Sequence, residues 1–224
     1  MRDANIRAML ERRQLLIAGR WVPALGGDVI AMIDPATGED FAQIAAGSEE
    51  DIDLAVRAAR AALDGSWGRM AAVERGRILQ AWARLIEQHA EELAAIESRD
   101  TGKPLTAARN DVKTAARYFE FYGTAADKVH GEVIPYYPGY TVNVLREPHG
   151  VTGHIIPWNY PAGQFGRTVA PALAMGNAAV VKPSEEACLS ILRMAQLALE
   201  AGLPAGAMNV VTGLGASAGA AMSA

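Results

Sequence analysis

Apolar positions along this chain follow two different periods. From Leu15 to Ile44 short apolar stretches are broken by Ala24-Leu25-Gly26-Gly27-Asp28 and Asp34-Pro35-Ala36-Thr37-Gly38. These glycine, proline and Asx combinations make turns, so the region predicts short strands. Ser48 then stands before Glu49-Glu50-Asp51, a helix cap followed by an acidic first turn. Ile52, Ala55, Val56, Ala59, Ala62 and Leu63 follow at helical spacing. A second helix is predicted with Ile78, Leu79, Trp82, Leu85 and Ile86 on one face. A third runs from about Ala90 to a stop at Gly102, with Pro104 beyond. A fourth spans Leu105 to His130, with Val112, Ala116, Phe119 and Ala126 inward and Gly131 as its stop.

From Glu132 to Glu147 the period changes. Pro138-Gly139 is a turn and Thr141-Val142-Asn143-Val144-Leu145 is strand-like, which predicts a projecting hairpin. A hairpin folded onto its own domain is the alternative, because exposed strands need a partner or protection. From Gly150 onward, apolar strands at Val151–Ile156, Ala178–Val181 and Met208–Val211 alternate with helices at about Gly163–Met175 and Ser184–Ala201. That alternation predicts an α/β fold whose parallel sheet carries helices on both faces. Right-handed crossovers bring the strand C-termini to one edge, so Trp158, Lys182 and Thr212 converge there.

Half the residues are apolar and 21% are charged, with a net charge of −4. This is ordinary globular composition, with no basic stripe to recruit nucleic acid. The single cysteine, Cys188, excludes an internal disulfide framework and fits a reducing compartment. No apolar run has the length of a membrane span. Met1 to Arg20 mixes acidic and basic residues and lacks the apolar core of a secretory signal. The cytoplasm is therefore the expected location, with no membrane partner. His89, His130, His149 and His154 show no metal-ligand spacing, and no metal is assigned.

The candidate chemistry centres on Ile155-Ile156-Pro157-Trp158-Asn159-Tyr160-Pro161. Two prolines stiffen both flanks of Asn159. A side-chain N–H₂ held at the end of a strand can stabilise an oxyanion; an asparagine bonded to its own turn explains the same residue. Lys182 closes a strand, and Ser184 is the expected cap of the next helix, with Glu185 in its first turn. Gly213-Leu214-Gly215-Ala216-Ser217-Ala218-Gly219 is an imperfect dinucleotide fingerprint, and a turn with tight helix packing would produce it too. Cys188, placed inside a helix with no adjacent base, is expected to be a small buried hydrophobe.

The Ile155–Pro161 run, Lys182-Pro183-Ser184-Glu185, Asp100-Thr101-Gly102-Lys103-Pro104 and Ala170-Pro171-Ala172-Leu173-Ala174-Met175-Gly176-Asn177 together resemble motifs of the NAD(P)-dependent aldehyde dehydrogenase superfamily, in family order. The resemblance runs from about Trp21 to the end and implies a Rossmann-like sheet. It implies that Asn159 is the oxyanion donor and that Lys182, Ser184 and Glu185 hold the cofactor ribose. Ile155, Ile156, Pro157 and Trp158 would flank the cofactor, and Gly215, Ala216, Gly219 and Ala220 would wall the adenine. Tyr160, Gly163, Gln164 and Gly166 would line a substrate tunnel, the glycines enlarging it and the polar groups offering hydrogen bonds. Glu185 would repel a 2′-phosphate, favouring NAD over NADP.

The resemblance further implies three parts. Residues 1–131 hold the N-terminal strands and helical portion of the cofactor domain, 132–149 an oligomerisation hairpin, and 150–224 a βαβαβ unit cut short. Family members are longer and carry the nucleophilic cysteine and general-base glutamate in the portion beyond this chain. The expectation is thus an N-terminal part of an enzyme oxidising an aldehyde to a carboxylic acid, homo-oligomeric when whole and inactive as this chain alone. The alternative is a non-catalytic module that binds a nucleotide or pairs subunits.

Overall fold

The computed structural model describes residues 13–224; most of the Met1–Arg20 reading lies outside them. Four short strands come first: β1 (Leu15–Ile17), β2 (Arg20–Val22), β3 (Val29–Ile33) and β4 (Asp40–Ala45). Helices α1 (Glu49–Asp64), α2 (Ala72–Gln88), α3 (Ala90–Thr101) and α4 (Leu105–Ala125) follow. The hairpin β5 (Glu132–Ile134) and β6 (Val142–Val144) leads into β7 (Val151–Ile156), α5 (Pro161–Ala174), β8 (Ala178–Pro183), α6 (Leu189–Glu200) and β9 (Met208–Val210). A π-helical turn, Gly215–Gly219, opens α7 (Ala220–Ser223).

Strands β7, β8 and β9 are parallel, as the strand–helix alternation demands. The sheet does not end with them. Strand β1 pairs antiparallel with β9, and β2 with β1, giving a mixed five-stranded order β2-β1-β9-β8-β7. Every residue of β8 is buried, which requires cover on both faces. Helix α1 lies on one face. Helices α5 and α6 lie on the other, because two right-handed crossovers advancing in one direction fall on the same side.

Local chemistry explains the helix ends. Ser48 and Asp51 form a reciprocal capping box at α1, with the Asp51 carboxylate accepting from the Ser48 N–H at 2.9 Å. Gly102 closes α3 in the left-handed conformation at φ +73, and a Cβ there would meet the Pro35 ring at 2.9 Å. Helix α4 stops at Ala125, five residues short of the expected His130. Helices α2, α4 and α5 meet in a trio of rings: Trp82 and Phe119 centroids lie 4.0 Å apart, and Phe165 is 5.8 and 5.9 Å from them. The Trp82 indole also donates to the Met194 carbonyl of α6 at 2.9 Å. This dry cluster locks the outer helices onto α5 and so fixes the helix that begins beside Asn159.

Asn177 fastens the other end of α5. Its side chain donates to the Ala172 carbonyl and accepts from the Gly150 N–H, while its own carbonyl accepts from the Trp67 indole. The β5–β6 hairpin is largely exposed, with Val133, Tyr136, Tyr137, Tyr140 and Leu145 open to solvent and Val142 and Val144 half-buried. No helix among the described residues is long and apolar enough to cross a membrane. Nor do these residues contain a cluster of His, Cys, Asp and Glu able to hold a metal ion.

Candidate active site

The C-terminal edge of the parallel strands gathers three loops. Register pairs Ile155 with Lys182 and Ile156 with Pro183. The Ser184 N–H continues that ladder to the Ile156 carbonyl at 2.8 Å. The segment leading to Asn159 and the segment leading to Glu185 therefore leave the sheet side by side. Side chains alternate across a strand: Ile156 is buried in the core, whereas Ile155 is 56% exposed. Pro157, Trp158 and Asn159 are exposed. Ile156 thus shapes the site only through its backbone.

Asn159 precedes α5, which starts at Pro161. A proline at a helix start loses nothing, since that N–H would be free anyway. The Asn159 amide is open to solvent and makes no hydrogen bond among the described residues, so it does not close the self-bonded turn. The backbone carbonyl of Asn159 accepts from the Lys103 ammonium at 3.2 Å.

Lys182, Glu185 and Gly215 form a second group. The Lys182 side chain is only 3% exposed, and its ammonium donates to Glu185 Oε2 at 2.6 Å. Glu185 Oε1 accepts from the Gly215 N–H at 3.0 Å. Burial works against the Glu185 carboxylate, but the bond from Lys182 and the backbone donors outweigh it and hold its pKa below the usual range. Ser184 corrects the sequence expectation. Its hydroxyl accepts from the Glu186 N–H within a turn, and α6 begins only at Leu189, with Cys188 at its cap. Glu185 is therefore not a first-turn residue of that helix. It is held by Lys182 and Gly215 instead.

The fingerprint glycines divide by role. Gly213 is sterically required, because a Cβ there would meet the Gly47 carbonyl at 2.6 Å. Gly215 is open: the nearest atom to its would-be Cβ is Glu185 Oε1, at 3.8 Å. Gly215, Ala216 and Ala220 are exposed and Gly219 is buried. This leaves an exposed face beside Glu185 formed by Gly215, Ala216 and Ala220.

At the head of α5 the expected roomy tunnel is not formed by the glycines. A Cβ on Gly163 would lie 2.0 Å from the Tyr160 ring, so the ring already fills that space. A Cβ on Gly166 would meet the Ala115 backbone at 3.0 Å, so this glycine serves close packing of α5 on α4. Both are buried. Burial raises the pKa of the Tyr160 hydroxyl, and its bond with Thr114 opposes that shift. Gln164 Oε1 is buried with no partner in the described structure.

A third group escaped the sequence reading. Glu97, near the C-terminus of α3, is fully buried. Its carboxylate accepts from Ser190 Oγ at 2.5 Å, Lys103 Nζ at 3.1 Å and the Ala162 N–H at 3.3 Å. Lys103 also donates to Asp111 at 2.7 Å. Burial pushes the Glu97 pKa up. Burial also opposes the Lys103 ammonium, but Asp111 and Glu97 more than offset it and raise its pKa. The two directions conflict, since a protonated Glu97 would not hold Lys103. Glu97 faces three donors and no obligate acceptor, so the ion-paired form is the one this geometry accommodates. Asp100, one turn on, accepts from the Leu189 N–H at 2.8 Å and so caps α6. Burial lifts its pKa to about 7. The available signal was Lys103, inside the Thr-Gly-Lys-Pro motif, together with acids at both neighbouring helical faces. Cys188 is fully buried, and burial followed by the Asp100 charge raises its thiol pKa well above the ordinary value. It does not supply a thiolate.

With that geometry in hand, comparison with known proteins decides the family. Residues 21–224 match the profile described as the aldehyde dehydrogenase family. The chain belongs to that family. The mitochondrial aldehyde dehydrogenase family 2 member B4 of Arabidopsis thaliana is 47% identical over 97% of this chain and 41% of its own length. A crystal structure of a putative aldehyde dehydrogenase from Burkholderia cenocepacia is 59% identical, with a TM-score of 0.93 over 93% of this chain and 44% of that one. The NAD+ complex of an aldehyde dehydrogenase from Bacillus cereus superposes with a TM-score of 0.95 at 40% identity, over 97% and 45% of the two chains. The chain thus spans under half the length of the family relatives it matches, and its fold is that of the aldehyde dehydrogenase cofactor-binding region.

Proposed function

We propose that this chain provides the oxyanion donor and the adenosine-ribose site of an NAD-dependent aldehyde dehydrogenase that oxidises an aldehyde to a carboxylic acid. The observation that carries the reading is the pairing of β7 with β8. It sets the exposed Asn159 amide on the same sheet edge as the Lys182–Glu185–Gly215 group. Ile155, Pro157 and Trp158 beside the cofactor, Ser184 with the ribose pair, Ala216, Gly219 and Ala220 at the adenine, and Tyr160 and Gln164 towards the aldehyde belong to the same reading.

Asn159 donates to the aldehyde oxygen as negative charge grows there during nucleophilic attack, a contribution of about 3–4 kcal/mol when the donor is preorganised. Lys182 donates to ribose hydroxyls and Glu185 accepts from them. Gly215, open above its Cα, fits close approach of the adenosine. NAD, when bound, supplies the hydride acceptor. A carboxylate at Glu185, held ionised by Lys182, disfavours a 2′-phosphate, which supports NAD over NADP. Cys188 is sealed in the core and offers no thiolate, and this chain alone is not expected to turn over. The division at 131/132 and 149/150 belongs to the same reading. So does pairing of the exposed β5–β6 hairpin with a second copy, supported by its outward Val133, Tyr136, Tyr137, Tyr140 and Leu145.

The test is aldehyde-dependent NADH formation by a protein joining this chain to the remaining portion of a family member. Asn159→Ala should lower kcat by about 100-fold or more. An unchanged kcat, or a preference for NADP, overturns the corresponding part.

A further inference from the structure

The loop that presents Asn159 has little to hold it. Ile156 gives its carbonyl to Ser184, and Tyr160 gives its carbonyl to the Gln164 N–H of α5. Between them, Pro157 has no N–H, and Trp158 and Asn159 are exposed. Among the described residues, the one side-chain hydrogen bond onto Pro157–Asn159 is that from Lys103 Nζ to the Asn159 carbonyl at 3.2 Å. An amide that must meet a developing oxyanion needs its backbone fixed to within about half an ångström, and a loop anchored only at its ends does not guarantee that.

Lys103 is itself held. Its ammonium has three protons and three acceptors: Asp111 at 2.7 Å, Glu97 at 3.1 Å and the Asn159 carbonyl at 3.2 Å. Glu97 is anchored in turn by Ser190 of α6 and takes the Ala162 N–H, just past Asn159 and Tyr160. The Lys103–Glu97 pair therefore holds the chain on both sides of the Tyr160-Pro161 step, with the Tyr160 ring 5.8 Å from the ammonium. Lys103 directs no proton to the outside, so it contacts neither aldehyde nor cofactor.

We propose that Lys103 is a positioning residue for the oxyanion amide: with Glu97 behind it, Lys103 clamps the Asn159 backbone and sets where the Asn159 side chain donates. This rests on the reading of Asn159 as oxyanion donor. Lys103→Met keeps the stem and removes the three donors. Lys103→Arg is the second variant should the first not fold. It keeps a cation for Asp111 and Glu97, but its planar fork does not reproduce three tetrahedral donors.

Two readouts separate the possibilities. The first is hydrogen exchange on this chain. The bonded amides that anchor the ends of the loop, Ser184 on the Ile156 carbonyl and Gln164 on the Tyr160 carbonyl, should exchange about tenfold faster or more in the variant, the scale of one charge-assisted bond lost. Amides of α1 and β9 should not change. The second is kinetics in a protein carrying the rest of the family fold. There kcat should fall about 10–100-fold with NAD affinity within about twofold, and in an Asn159→Ala background the same change should cost less than about threefold. Unchanged exchange at Ser184 and Gln164 overturns the clamp. So does an equal kcat loss with and without Asn159, which would mark Lys103 as a general support of the fold. If Asn159→Ala itself leaves kcat intact, the oxyanion reading falls, and the exchange result alone then decides whether Lys103 holds the loop.

Discussion

The Lys182–Glu185 pair should respond asymmetrically to loss of either partner. The Lys182 side chain is 3% exposed and Glu185 is 25% exposed, with 2.6 Å between ammonium and carboxylate. Glu185→Leu leaves an ammonium sealed in the sheet with no acceptor among the described residues. Breaking a buried pair from one side costs about 3–5 kcal/mol, and the lower end applies because the vacated rim admits some water. The bond to the Gly215 N–H is lost as well, about 1 kcal/mol at an exposed site. Lys182→Met keeps the packed stem and leaves a carboxylate that water reaches and Gly215 still holds, so its loss is about 1–2 kcal/mol. The double variant removes both charges and should lose about 2 kcal/mol, against about 5–6 kcal/mol for the sum of the single losses, a coupling of about 3–4 kcal/mol. Urea unfolding followed by tryptophan fluorescence, at constant slope, measures all three. Equal losses in the two single variants, or a double variant equal to their sum, would refute the claim that a stranded ammonium dominates.

Other expectations follow from the same geometry. Gly163→Ala should expel the Tyr160 ring and lower stability by about 1–3 kcal/mol, with Tyr160→Ala relieving most of that loss; denaturation midpoints of the two variants and their combination check it. Asp100 and His154 should oppose each other in pH dependence. Burial raises the Asp100 pKa to about 7, so the folded state keeps a proton that the unfolded chain releases, and stability falls as pH rises from about 4 to 7. Burial lowers the His154 pKa to about 4, so the unfolded chain takes a proton that the fold refuses, and stability is lost as pH falls from 6.5 towards 4. Each slope is at most about 1.4 kcal/mol per pH unit. Asp100→Asn should leave the rising limb alone and His154→Gln the falling one, read from denaturation at pH 4 to 8.

The helices and parallel strands were legible because their patterns are local. Ser48 with Asp51, Gly102 before Pro104, and the apolar runs of β7, β8 and β9 each state an element within a few residues. Pairing between distant segments was not. Nothing in Leu15-Leu16-Ile17 names β9 as its partner, and the register Leu16 to Val210 is a matter of tertiary packing. Ser184-Glu185 has the composition of a helix start, but Glu185 gains more from Lys182 and Gly215 than from a helix dipole, and α6 waits until Leu189. Gly163 and Gly166 gave up side-chain volume, and the sequence does not say whether the space goes to a ligand or to a neighbour; here it goes to Tyr160 and Ala115. Glu97 was overlooked because an acid near the end of an acidic helix resembles solvated surface until its three donors arrive from other elements.

Cys188 gives the chain a built-in reporter of breathing motions. The lone thiol is sealed where α6 begins, beside Asp100 and the strand bearing Lys182. A thiol reagent reaches it only in molecules that have opened there, so the labelling rate under native conditions counts those openings without any engineered probe. A ligand seated against Lys182 and Glu185 would slow that clock, and the slowing would register its occupancy even in a chain that performs no chemistry.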